Sequence, residues 1–182
     1  MSGDPTPTTA PAASDALAAL LDEREIERVI LRYCRGIDRM DRALVRSCYH
    51  DDARDVHGSF DGGVDAFLDF CFRLLARYSS TMHFVGNLLV ELSPSRPRER
   101  ARAETYGIAF HRGDPAIPER NLVTGFRYVD RFEHRAGEWR IAQRVATTEW
   151  VRVDAPEHWW EAPETLLRGR RDRSDPIYEP ID

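Results

Sequence analysis

Two ionisable residues of this chain sit where apolar residues are expected. Asp38 closes the helical run Ile26-Glu27-Arg28-Val29-Ile30-Leu31-Arg32-Tyr33-Cys34-Arg35-Gly36-Ile37-Asp38. His83 lies inside the strand-like run Thr81-Met82-His83-Phe84-Val85-Gly86-Asn87-Leu88-Leu89-Val90. An isolated charge inside apolar surroundings is costly, so such groups persist as pairs, and such pairs concentrate where chemistry is done. Neutral imidazole, with an ordinary pKa of about 6.5, is a competent base near pH 7. A carboxylate on one ring nitrogen would fix the tautomer and stabilise the imidazolium formed when the other nitrogen takes a proton.

The elements that must position this pair follow from hydrophobic periodicity. Leu17, Leu20, Leu21, Ile26, Val29, Ile30, Tyr33 and Ile37 recur at helical spacing, which predicts a first helix over 15–38, capped by Ser14 and interrupted near Asp22–Glu25. Asp41–Tyr49 reads as a short second helix, His50-Asp51-Asp52 as a turn, Ala53–His57 as a short strand, and Val64–Tyr78 as a third helix. The period then changes to two. Thr81–Leu92 reads as a long strand with a bulge at Gly86, followed by strands over Arg100–His111, Asn121–Glu133 and Glu138–Val153. Three helices followed by long antiparallel strands give an α+β class, with the helices packed on a curved, mainly antiparallel sheet as a cone-shaped barrel. Its cavity would lie between helices and sheet. Residues 1–14, rich in Pro, Thr, Ser and Ala, read as a disordered lead. Residues 15–153 form the domain, and 154–182 read as a tail packing on it or on a partner subunit.

Bulk properties narrow the function classes. The chain has 182 residues, net charge -5, 42% hydrophobic and 31% charged residues, which suits one soluble domain with no electrostatic pull toward nucleic acid. No apolar run approaches the roughly 20 residues of a membrane span. All 26 basic residues are arginine, so lysine Schiff-base chemistry is excluded. Cys34, Cys48 and Cys71 show neither metal spacing nor an even disulfide set and read as buried thiols of a cytoplasmic protein. His50-Asp51-Asp52 with His57 lacks a spacing that converges on a metal. His111, His134 and His158 read as surface residues. Neither a metal nor a cofactor is expected.

Three segments together resemble the SnoaL-like branch of the nuclear-transport-factor-2-like superfamily: Arg32-Tyr33-Cys34-Arg35-Gly36-Ile37-Asp38-Arg39-Met40-Asp41, Thr81-Met82-His83-Phe84-Val85-Gly86-Asn87, and Tyr128-Val129-Asp130-Arg131-Phe132-Glu133-His134-Arg135-Ala136-Gly137-Glu138-Trp139-Arg140-Ile141. The resemblance covers about residues 22–153 and implies an α+β cone that commonly assembles as a dimer or trimer. Scytalone dehydratase, bile-acid dehydratase and hexachlorocyclohexane dehydrochlorinase in this superfamily carry an Asp–His dyad, which by position corresponds to Asp38 and His83. The resemblance also implies pocket roles for Tyr33 and Arg144. Either could hydrogen-bond a carbonyl oxygen on which negative charge develops.

Strand alternation adds further candidates for substrate binding: His57, Asn87, Glu104, Tyr106 and Arg127, the last facing inward unless Phe126 and Tyr128 do so instead. On this reading the chain is a cofactor-independent lyase or isomerase, dehydratase-like, acting on a hydrophobic, ring-containing carbonyl compound such as a polyketide or steroid intermediate. Two alternatives stay open: a non-catalytic ligand-binding module or subunit resembling the β-subunit of ring-hydroxylating dioxygenases, and a cyclase or isomerase with Asp38 as the base. The apolar face assigned to Phe84, Leu88, Val90 and Leu92 needs cover, which predicts a homodimer or homotrimer.

Overall fold

The computed structural model describes residues 12–113, 121–158 and 162–182; residues 1–11 of the proposed lead, and Trp159 and Trp160, lie outside them. Helix α1 spans Ala13–Asp38, α2 Arg42–Ser47 and α3 Val64–Leu75, with strands β1 Tyr49–His57, β2 Phe60–Gly63, β3 Tyr78–Leu92, β4 Arg100–Gly113, β5 Leu122–Arg135 and β6 Glu138–Val153. The six strands form one curved sheet in the order β2-β1-β6-β5-β4-β3. All neighbours are antiparallel except β1 and β6, which are parallel. The helices cover one face of this curved, unclosed sheet, giving an α+β cone.

Helix α1 presents Ile26, Val29, Ile30, Tyr33, Cys34 and Ile37 as one buried stripe. The expected break at Asp22–Glu25 is absent. Asp22 is itself buried and accepts hydrogen bonds from the Trp139 indole (2.9 Å) and Arg98 Nε (3.1 Å), so the acidic residue is tied into the fold instead of ending the helix. Ser14 is not the cap: Ala12 holds that place, and the helix starts without a side-chain cap. At the other end Met40 turns the chain at φ 54°, and Asp41 caps α2 by accepting from Leu44 N at 3.1 Å. A side chain at Gly36 would meet Val45 Cγ2 at 2.6 Å, so glycine lets α1 and α2 touch at the turn that fixes Asp38.

Several local assignments differ from the sequence expectation, among them strand β2 over Phe60–Gly63, where a turn at Asp61-Gly62-Gly63 is expected. His50-Asp51-Asp52 belongs to β1, not to a turn, and His50 is buried there, donating Nε2–H to the Glu133 carbonyl at 2.8 Å. Helix α3 ends at Leu75, so Tyr78 opens β3. In β3 the irregular residue is Asn87, at φ 44°: Gly86 pairs with Tyr106 and Leu88 with Thr105, leaving Asn87 unpaired. One extra residue reverses the side-chain phase. Leu88, Val90 and Leu92 therefore pack on the core, whereas Phe84 stays outside. The exposed apolar face is Met82, Phe84, Leu89, Tyr106 and Trp150 instead.

Candidate active site

The last residue of α1 meets the edge strand β3. Asp38 Oδ1 lies 2.7 Å from His83 Nδ1 and accepts the Thr81 hydroxyl at 3.0 Å, while Oδ2 accepts the His83 backbone N–H at 2.9 Å. Both side chains are about nine-tenths buried, at 8% exposure for His83 and 10% for Asp38. A carboxylate gripped by three donors is held in one orientation. It places the ring proton on Nδ1, so Nε2 presents its lone pair and has no hydrogen-bond partner among the described residues. Thr81 was not recognised as part of this group, although it shares the face of His83 two residues away.

The inner face of the sheet continues from the pair as an aromatic floor. Phe126 lies 6.0 Å from His83 between ring centroids, Tyr128 lies 4.5 Å from Phe126, and Tyr33 and His57 lie 5.6 and 6.1 Å from Tyr128. Phe126 reaches this position over Gly107, where an added Cβ would meet its ring at 2.3 Å. His111 is no surface residue. It is half-buried, its ring 5.9 Å from His83 and 4.9 Å from Tyr78. Burial, reinforced by His83, lowers its pKa to about 4.

Arg144 reaches the interior, but its charge is already taken. It donates to both oxygens of Asp130, at 2.8 and 2.6 Å, and its guanidinium lies 4.1 Å from the Tyr33 ring and 3.9 Å from that of Tyr128. Burial pushes the Arg144 pKa down, and attraction to Asp130 more than offsets this, so the group stays cationic. Burial raises the Asp130 carboxyl against the pull of Arg144. One nitrogen, Nη1, is buried without a partner. Tyr33 is packed between Tyr49, Tyr128 and Arg144, and burial raises its pKa well above the usual phenol value. His57 stacks on Phe67 at 5.5 Å, with Nδ1 3.6 Å from buried Asp55, which accepts the Tyr49 hydroxyl at 2.6 Å. Sequence reasoning missed Asp55, Tyr49 and Asp130, and held Tyr128 only as the alternative to Arg127. Alternation in β1 and β5 carried the signal for Asp55 and Asp130, masked by the many acidic residues around them.

Glu104, Tyr106, Arg127 and Asn87 are on the opposite side of the sheet from the pair. Arg127 bridges Glu104 (2.6 Å) and Glu149 (2.8 Å) and lies over Tyr106, while Phe126 and Tyr128 take the inner face. Asn87 and Tyr106 border an outer hollow with Phe84 and Trp150. The register error has a physical origin: β4 turns its small residues Ala101, Ala103, Thr105 and Ala109 toward the helices and its larger ones away. The three thiols are unreactive by environment, with burial raising Cys34 and Cys71 to about 12 and Cys48 to about 11.

A cleft of about 580 Å³ opens beside the pair, lined by Cys34, Asp38, Arg39 and His83 from α1 and β3 and by Asp175 and Ile177 from the C-terminal tail. No helix is long and apolar enough to cross a membrane among the described residues.

The Asp–His pair, about nine-tenths buried, lies at the junction of α1 and β3 in a cone of three helices and six strands, a fold that matches the nuclear-transport-factor-2-like cone. Within it, the chain belongs to the SnoaL-like domain family, which it matches over residues 18–145. Solved structures share the fold. A scytalone dehydratase-like protein from Novosphingobium aromaticivorans is 18% identical with a TM-score of 0.66, covering 86% of this chain and 100% of its own. The hexachlorocyclohexane dehydrochlorinase LinA-type3 from Novosphingobium barchaimii is 15% identical with a TM-score of 0.66, covering 83% and 100%. An aromatic ring hydroxylase-like protein from Novosphingobium aromaticivorans is 17% identical with a TM-score of 0.61, covering 72% and 91%. Among curated proteins, none matches the sequence.

Proposed function

We propose that the chain is a lyase or isomerase, dehydratase-like and cofactor-independent, in which His83 removes a proton next to a carbonyl of a hydrophobic, ring-containing substrate. The observation that carries this reading is the triple grip on Asp38, which fixes the His83 tautomer and leaves Nε2 as an unpaired base. The proton on carbon passes to Nε2, the electron pair becomes an enolate, and the imidazolium so formed is stabilised by Asp38. Protonated His83 then returns the proton either to a departing β-hydroxyl, giving water and an unsaturated ketone, or to another carbon. Likeness in fold to a scytalone dehydratase-like protein and to a dehydrochlorinase supports the class of reaction.

Both oxygens of Asp38 are engaged by Thr81 and His83, an arrangement suited to orienting the imidazole and less to meeting a substrate directly. The non-catalytic subunit reading does not require a carboxylate locked onto a histidine. The test is elimination from a panel of cyclic β-hydroxy ketones by the wild-type protein, His83→Gln and Asp38→Asn. We expect turnover to fall roughly 10²–10⁴-fold in both variants. Full turnover in both would remove the mechanism.

A further inference from the structure

The C-terminal tail lies outside the family match of residues 18–145, yet it is fastened beside the Asp38–His83 pair. Arg39 Nη1 donates to the Arg170 carbonyl at 2.8 Å, and Arg39 lies 3.5 Å from Asp175. Asp175 also accepts the Arg170 N–H at 2.8 Å. Tyr178 donates its hydroxyl to Asp41 at 2.9 Å, and Arg173 pairs with Asp41 at 3.1 Å. Arg39 directly follows Asp38 and Asp41 comes three residues after it, so these contacts anchor the tail to the turn that ends α1. Asp175 and Ile177 then form one wall of the cleft at the pair.

Within this tail Arg168, Arg170 and Arg173 point outward, whereas Arg171 turns in. Its Nη1 donates to the carbonyls of Leu75 (3.0 Å) and Tyr78, where α3 gives way to β3. Its Nε and Nη2 are buried and unpartnered. Among the described residues Arg171 forms no ion pair, although Asp38 is near enough for its charge to offset part of the burial that lowers the arginine's pKa. Buried donors without acceptors are costly, and those of a guanidinium fit planar or anionic oxygen. Arg144, the other inward cation, is spent on Asp130.

We propose that Arg171, delivered by the tail, is the oxygen-binding cation of this site: its free Nε–H and Nη2–H edge takes a carboxylate or enolate oxygen of a ring-bearing ligand whose carbon faces His83. The inference rests on the Asp38–His83 pair being the reacting centre and names the chemistry of what binds there, an acidic aromatic or alicyclic compound or a ketone that becomes an enolate. The tail anchors Arg39, Asp41 and Asp175 make the site conditional on residues 168–178.

The experiment uses the full chain and two probes of one shape, anionic 2-naphthoate and neutral 2-acetylnaphthalene, titrated calorimetrically into wild type, Arg171→Gln, Arg171→Lys and His83→Gln, with thermal midpoints recorded for each. Wild type is expected to prefer the anion roughly tenfold or more, with Arg171→Gln losing that preference and Arg171→Lys keeping part of it, since an ammonium keeps the charge without the planar fork. His83→Gln is expected to retain the preference, which separates ligand recognition from proton abstraction. If Arg171→Gln does not fold, Arg171→Lys decides, with roughly threefold or greater weakening toward the anion expected. An unchanged preference in the folded Arg171 variants, even with a lowered midpoint, would mean that Arg171 only clasps the tail and overturns the proposal. Absence of anion preference or of binding in wild type overturns it too.

Discussion

Asp38 holds His83 at two points, the ring Nδ1 at 2.7 Å and the backbone N–H at 2.9 Å, so helix end and edge strand are locked by the same contact that sets the tautomer. The Thr81 hydroxyl at 3.0 Å completes the grip. Thr81→Val removes one donor and keeps the shape. Because the hydroxyl touches only Asp38, we expect kcat to fall about tenfold or less, KM to hold, and stability to drop by about 1–2 kcal/mol. Steady-state kinetics and urea unfolding check this. A KM effect without a kcat effect would place Thr81 on the substrate instead.

His111 gives the fold an acid sensitivity. Its pKa is about 4 in the folded protein because burial and His83 oppose protonation, against 6.5 in the unfolded chain. Between these values the unfolded state binds the proton and the native state does not, so the contribution is present above pH 6.5 and is lost as pH falls toward 4. The expected loss is on the order of 3 kcal/mol. His111→Gln should flatten the stability curve in that window. A curve of unchanged slope would show that other groups dominate it.

The Arg144–Asp130 pair is fully buried, so removing one partner strands the other. Arg144→Met or Asp130→Leu alone should cost about 3–5 kcal/mol, whereas the double variant recovers much of the loss. Chemical denaturation of the three variants reads the coupling directly. Additive losses would argue that the two residues act independently.

Met82, Phe84, Leu89, Tyr106 and Trp150 are exposed on the outer sheet face, and a homo-oligomer that covers them is proposed. Sedimentation velocity at micromolar concentration is expected to show a dimer or trimer, shifted toward monomer by Phe84→Glu. A wild-type monomer would sink this.

The three helices, the long strands and the central pair were readable because an ionisable residue stands out against helical or alternating apolar spacing, as at Asp38 and His83. The wall of the site was harder to read. One unpaired residue, Asn87, reversed the phase of half of β3. In β4, alternation alone does not say which face is inner, and the bulky Tyr106 proved to be outside while Ala103 lies against the helices. Arg144 is buried, but its partner Asp130, which decides what it is free to do, lies fourteen residues earlier on another strand. Arg171 sat in a charge run that resembles solvated surface. Only folding shows that one of those arginines turns inward.

The most direct measurement is wash-in of solvent deuterium at the carbon next to the carbonyl of a ring ketone such as 2-tetralone, followed by NMR at neutral pD, since it reads proton abstraction without requiring the true leaving group. Wild type should accelerate the exchange, and His83→Gln should lower that rate by at least about 10²-fold. Equal exchange in wild type and His83→Gln, or none above buffer in either, would contradict His83 as the base.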